Sequence, residues 1–190
     1  VIFQNQSNNV WHSMQTNVFL ATGRFYSLFL YNNKGIKTLL SEDNILSPSA
    51  GKVKIRVAHL GDNLANVNVE SSAASGLLFR NIKYETVSEY IEIDAALLHN
   101  FTVQSVDGEI KLFSKEEKKL ENKGIYTILI KGYVAANGNT DAIDFSIIKQ
   151  CIDLTNDINH FNANGKTLLM YAAQCSFDVQ TVKYLLDKGA

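Results

Sequence analysis

Lys52-Val53-Lys54-Ile55-Arg56-Val57-Ala58-His59 is the stretch whose reading decides the fold. Apolar residues stand at 53, 55 and 57, and basic residues at 52, 54 and 56. In a β-strand successive side chains point to opposite faces, so a period of two sorts them into two sets. The pattern predicts a half-buried strand, with Val53, Ile55 and Val57 inward and Lys52, Lys54 and Arg56 toward solvent. Working outward, Ala65 to Glu70 alternates in the same way, with Val67 and Val69 inward. Further strands are expected over 90–93, 101–106 and 109–113, the last two joined at Asp107-Gly108, a strong hairpin signal. Ile125 to Tyr133 reads as the clearest core strand, and 142–148 as the last one. Upstream, Phe25 to Tyr31 is apolar and aromatic and ends in the turn cluster 32–35.

Strands therefore recur about every ten residues, with turn signals between them and no convincing amphipathic helix before residue 140. That is the pattern of an antiparallel β-sandwich and not of βαβ units. The phrases Thr22-Gly23-Arg24-Phe25-Tyr26-Ser27-Leu28 and Lys123-Gly124-Ile125-Tyr126-Thr127-Ile128 repeat one pattern, with the two tyrosines one hundred residues apart. An internal repeat of that period suggests two copies of one unit. The expected organisation is the final strands of a first sandwich copy over 1–46, a linker over 47–51 around Pro48, a second copy over 52–150, and a different segment over 151–190.

Composition excludes several function classes. The chain has 190 residues, 46% hydrophobic and 19% charged, which suits a globular protein with a core. Eighteen basic and 19 acidic residues give a net charge of −1, so a basic nucleic-acid footprint is not expected. The dense charge run at 115–123 mixes both signs and reads as a solvated turn. No apolar run is long enough to span a membrane, so membrane insertion is not expected. The chain starts at Val1 without a methionine, which suggests that it is cut from a longer one. Cys151 and Cys175 form no CxxC or Cys/His cluster, and free thiols are the expectation. Sequons occur at Asn5 and Asn100.

Catalytic chemistry is not visible. There is no GxSxG, P-loop, GxGxxG or HExxH motif. His12, His59, His99 and His160 are scattered and read as structural or surface histidines. Asp62, Asp94 and Asp107 sit at strand ends or turns without a D-x-D-x-D calcium loop. Trp11, Phe3 and Phe19 read as core. No catalytic, cofactor-binding or metal-ligating residue is assigned, and no cofactor is expected.

Several phrases in order carry a resemblance. They are Leu20-Ala21-Thr22-Gly23 with Phe25-Tyr26-Ser27-Leu28-Phe29, Leu39-Leu40, Ser49-Ala50-Gly51-Lys52-Val53-Lys54-Ile55-Arg56-Val57, Ala58-His59-Leu60-Gly61-Asp62 and Tyr126-Thr127-Ile128. Residues 138–140 complete the set. Together they resemble the bacterial extracytoplasmic family called domain of unknown function 4397, over most of residues 15–150. The pattern departs after Asp62, where the family often has proline and this chain has Asn63. The resemblance implies immunoglobulin-type sandwiches on secreted or surface-anchored proteins and carries over no catalytic residue.

From Asn162 the texture changes. Asn162 to Ala173 resembles the opening of an ankyrin repeat, D-x-x-G-x-T-P-L-H-x-A-A, and Val182 to Ala190 resembles its close. Thr167 would cap the first helix and Gly189 would end the second. Leu168, Met170 and Ser176 depart from the usual proline, histidine and glycine. Residues 147–152 can be read as the end of the last strand or as a helix of a preceding partial repeat. One repeat cannot bury its own apolar faces. Tyr171, Val182, Tyr184, Leu185 and Leu186 are therefore the expected interaction surface.

These readings lead to a non-enzymatic, extracytoplasmic structural or adhesive module that assembles with a protein partner or with itself. The alternative is a carbohydrate- or peptide-binding module using loops at one end of the sandwich.

Overall fold

The alternation at 52–59 is realised in the computed structural model as β5 (Lys52–His59), the strand around which the chain is organised. The structure describes residues 2–150 except 8, 9, 16, 22, 23, 33, 34, 75, 115 and 141, with side chains from residue 17 onward other than that of residue 32. Before β5 come β1 (Ile2–Ser7), β2 (Val10–Gln15), β3 (Phe25–Asn32) and β4 (Ile36–Asp43). After it come β6 (Val67–Ser71), β7 (Leu77–Ile82), β8 (Thr86–Val87), β9 (Ile91–Asp94) and β10 (Leu98–His99). The remaining strands are β11 (Phe101–Ser105), β12 (Lys111–Phe113), β13 (Lys118–Lys119), β14 (Ile125–Gly132) and β15 (Ile143–Lys149).

Two sheets face each other. One has the order β15-β14-β5-β8, with β9 also on β5; the other has the order β12-β11-β6-β7. Their inner faces share one core. Val53, Ile55 and Val57 meet Ile128 and Ile130 from the first sheet, and Val67, Val69, Phe79, Phe101 and Val103 from the second. Most are wholly removed from water, and each such side chain stabilises the fold by roughly 1.5–3 kcal/mol. The molecule is thus mainly β, and its sheets make a two-layer sandwich. The hairpin signal at Asp107-Gly108 joins β11 to β12, with Gly108 at φ 80°, a left-handed turn position that suits glycine.

Three expectations are corrected. The sandwich is not wholly antiparallel, because β14 runs parallel to β5 from Ile125↔Lys54 to Ile130↔His59. Periodicity reports which residues share a face and is silent on strand direction. Arg56 does not face solvent; it is 1% exposed. A second layer covers the outer face of β5, as described below. Phe19 is 94% exposed and is not core, since 17–21 forms no strand. The strand over 142–148 is found as β15, ending at Lys149. The segment expected to be ankyrin-type, with Tyr171, Val182, Tyr184, Leu185 and Leu186 and both cysteines, lies outside the described residues.

Among the described residues β3 and β4 pair only with each other, from Phe25↔Asp43 to Asn32↔Ile36. Ser27, Phe29 and Tyr31 occupy one face of this hairpin, opposite Ser41, Leu39 and Lys37. That face lies over the outer side of β5 and β14.

Candidate functional site

Arg56 is the centre of the contact between the hairpin and the sandwich. Its guanidinium has five N–H donors and no acceptor, so burial demands five acceptors. They are present. Nε donates to Thr127 Oγ1 at 3.1 Å. Nη1 donates to Ser41 Oγ at 3.1 Å and to the Glu42 carbonyl at 3.3 Å. Nη2 donates to Ser27 Oγ at 2.8 Å and to Asp43 Oδ1 at 2.5 Å. The Arg56 and Asp43 side chains are 1% and 7% exposed, which makes this a buried ion pair. The Tyr90 ring lies 4.6 Å from the guanidinium carbon and the Phe29 ring 5.9 Å, both within cation–π range. Burial pushes the Tyr90 hydroxyl up to about 12, and that hydroxyl donates to Gln150 Oε1 at 3.0 Å. Thr127 comes from β14; Ser27, Ser41, Glu42 and Asp43 come from the hairpin.

The same chemistry makes Arg56 a poor ligand-binding group, because no donor is left for a ligand. Its role is to join layers. The hairpin has a second anchor near its far end, where Lys37 Nζ donates to Glu85 Oε1 at 3.0 Å. Glu85 is held at φ 59°, an unusual conformation for a side chain of its size. Tyr31 sits beside it, its hydroxyl pushed up to about 12 by burial and then by the Glu85 carboxylate.

Tyr26 and Tyr126 share a further geometry. The Tyr26 hydroxyl accepts the amide N–H of Ala21 at 3.2 Å, and the Tyr126 hydroxyl accepts that of Glu121 at 2.9 Å. In each case the bond reaches back five residues, at positions one hundred residues apart. A tyrosine near the start of a strand that bonds upstream backbone is the arrangement called a tyrosine corner. Ser27 and Thr127, one residue after each tyrosine, both bond Arg56, one from the hairpin and one from the sheet.

Beyond Arg56 the hairpin and the sheet meet again at residues 30 and 31 of β3. A cleft of about 430 Å³ opens there, lined by Leu30 and Tyr31 of the hairpin and by Leu60, Asp62, Leu129, Lys131, Gly132 and Tyr133. Asp62 and Tyr133 are brought side by side by a parallel bridge, with Asp62 N–H donating to the Gly132 carbonyl at 2.8 Å. Gly132 has φ 91°, and a Cβ there would collide with the Ala142 carbonyl oxygen, so no other residue fits without moving backbone.

Three further polar side chains are tied to the fold around them. His59 is fully buried, with Nε2 3.1 Å from the Ala65 carbonyl, and burial lowers its pKa. His99 is buried, 2.8 Å from Ser71 Oγ and 2.7 Å from the Asp94 carbonyl. Asp107 caps its own turn, accepting from Ser105 Oγ and the Glu109 amide, and these bonds hold its carboxyl below the usual range. Among the described residues no three or more His, Cys, Asp or Glu side chains gather as a metal site would need. No helix among them is long and apolar enough to cross a membrane.

No family model matches the chain, and no curated protein matches it. Among solved structures, the C-terminal domain of AlgF from P. aeruginosa is similar to part of it, at 11% identity and a TM-score of 0.39. The match covers 53% of this chain and 99% of that one.

Proposed function

We propose that this chain is a non-enzymatic, extracytoplasmic structural module, built from immunoglobulin-type sandwiches in tandem and used for assembly or adhesion. The reading rests on the Arg56 junction. A hairpin from the first copy is fastened to the second copy by four hydrogen bonds from one buried side chain, whose fifth bond holds it to Thr127 of its own sheet. Such a contact fixes the relative orientation of successive units, which a stalk or filament needs and a flexible linker cannot supply. The matched tyrosine hydroxyl bonds support the immunoglobulin-type and tandem parts of the reading. The resemblance to the domain of unknown function 4397 supports the extracytoplasmic part.

Assembly is favoured by the open edges of the β3–β4 hairpin. Neither strand has a further partner among the described residues, and strands eight residues long with free edges are templates for strand addition. The ankyrin-type segment, through Tyr171, Val182, Tyr184, Leu185 and Leu186, would add a second protein-binding surface. Size-exclusion chromatography with light scattering over a wide concentration range tests the assembly reading. The expected result is concentration-dependent dimers or larger species, reduced by Ile36→Lys at the start of β4, where Ile36 is 51% exposed. A monomer at every concentration would end it.

A further inference from the structure

The cleft at the end of the hairpin is made by both parts of the chain. Leu30 and Tyr31 come from the N-terminal hairpin, and the other lining residues come from the sandwich, so the cleft exists only where the two meet. Ligand sites favour such junctions, and a volume near 430 Å³ falls within the roughly 300–1,000 Å³ of small-molecule sites. Gly132, held at φ 91° beside Ala142, keeps this part of the wall free of a side chain.

The lining selects a chemical class. Leu60 and Leu129 supply apolar surface. Tyr133 is 52% exposed, so its ring offers a flat amphipathic platform to solvent. Asp62 and Lys131 add one acceptor group and one donor group. The Asp62 carboxylate accepts only the adjacent Asn63 amide at 3.0 Å, and neither charge enters an ion pair among the described residues. Opposite charges on one small cleft favour neither an anion nor a cation. They suit a neutral ligand with hydroxyls on its edge and C–H groups on its face. A pyranose ring has that form. We propose that this cleft is a subsite for a neutral saccharide, with a sugar face on Tyr133 and its hydroxyls shared between Asp62 and Lys131. An extended peptide would ask instead for a free strand edge, which the β3–β4 hairpin offers along its length, whereas the backbone of the Asp62–Tyr133 wall is already engaged. The proposal does not depend on whether the chain assembles.

Isothermal titration of the full chain against neutral hexasaccharides of glucose, xylose and N-acetylglucosamine tests it, with charged uronate oligomers and an unstructured peptide as comparisons. Saturable binding of at least one neutral sugar is expected. Tyr133→Ala should weaken it about tenfold or more. Lys131→Ala and Asp62→Asn should each weaken it about three- to tenfold. Val106→Ser, at an exposed position outside the cleft, should leave it unchanged. Far-ultraviolet circular dichroism on each variant separates loss of binding from loss of fold; if Tyr133→Ala unfolds, Tyr133→Leu takes its place. No binding at about 10 mM of any neutral sugar (a Kd worth less than roughly 3 kcal/mol) overturns the proposal. So does binding that survives all three cleft variants, or a preference for the uronates or the peptide.

Discussion

Hairpin β3–β4 and hairpin β14–β15 each carry, as their second residue, a tyrosine whose hydroxyl takes an amide N–H from five residues upstream. They then diverge. In β14–β15, Ile128, Ile130, Ile143 and Phe145 enter the sandwich core, and β5 pairs alongside. In β3–β4, Ser27, Ser41 and Asp43 turn toward a buried arginine, and no other strand pairs with it among the described residues. Both hairpins reach the β5–β14 layer, one as part of it and one as a cover over it. The difference is between stabilisation by dry apolar packing, which tolerates many shapes, and stabilisation by a saturated polar centre, which tolerates one geometry. A polar centre of this kind specifies orientation more than it adds stability.

Breaking the polar side should produce the largest effect. Arg56→Ala leaves Asp43 buried without its partner and should cost about 3–5 kcal/mol, read by urea denaturation. The double change Arg56→Met with Asp43→Leu should recover much of that loss. If the double variant is as unstable as the single one, the ion pair is not what holds the hairpin. Breaking the dry side comes next. Ile128→Ala, at a fully buried position, should cost about 2–4 kcal/mol, and an apolar double variant elsewhere should not restore it.

The tyrosine bonds give a sharper and smaller contrast. Tyr126 is 6% exposed, so Tyr126→Phe leaves the Glu121 amide poorly served and should cost about 1–2 kcal/mol. Tyr26 is only half-buried, and Tyr26→Phe should cost about 0.5 kcal/mol, since water can replace the hydroxyl. Equal losses would mean that the two tyrosine hydroxyls are equally shielded from water.

The smallest effect is read against pH. His59 lies at the end of β5, and burial lowers its pKa from the ordinary 6.5. Below about pH 6.5 the unfolded chain therefore binds a proton that the folded chain refuses. Stability should fall as pH drops from 6.5 toward the folded value, and should not change from this group above it. Thermal melts of the parent and of His59→Gln between pH 7.5 and 5 check this, and the parent should lose more on acidification than the variant does.

Much of the sandwich was legible. Strand β5 is found over the residues its alternation marks, and β3, β11, β14 and β15 lie within one residue of their expected ends. The repeated tyrosine could be seen as well, because a corner is a local device with a local sequence pattern. Strands β8, β10 and β13 have two residues each and carry no period at all. Strand β4, Ile36-Lys37-Thr38-Leu39-Leu40-Ser41-Glu42-Asp43, could have been found, since its partner β3 ends at a turn cluster and a second strand after it completes a hairpin. The cleft was not legible, because Asp62 and Tyr133 are distant in sequence and meet only through parallel pairing.

Arg56 marks the boundary between the two kinds of knowledge. Its sequence determined that it lies opposite Val53, Ile55 and Val57, because the period of a strand is set by backbone geometry. Whether that opposite face meets water or another layer is a matter of long-range contacts. Only the tertiary structure placed Ser27, Ser41, Glu42 and Asp43 there. A basic residue on an alternating strand reads as solvated by default, since burying it requires acceptors for every donor. The acceptors lie 13 to 29 residues upstream for the hairpin and 71 downstream for Thr127. Chain folding, and not local pattern, brings them together.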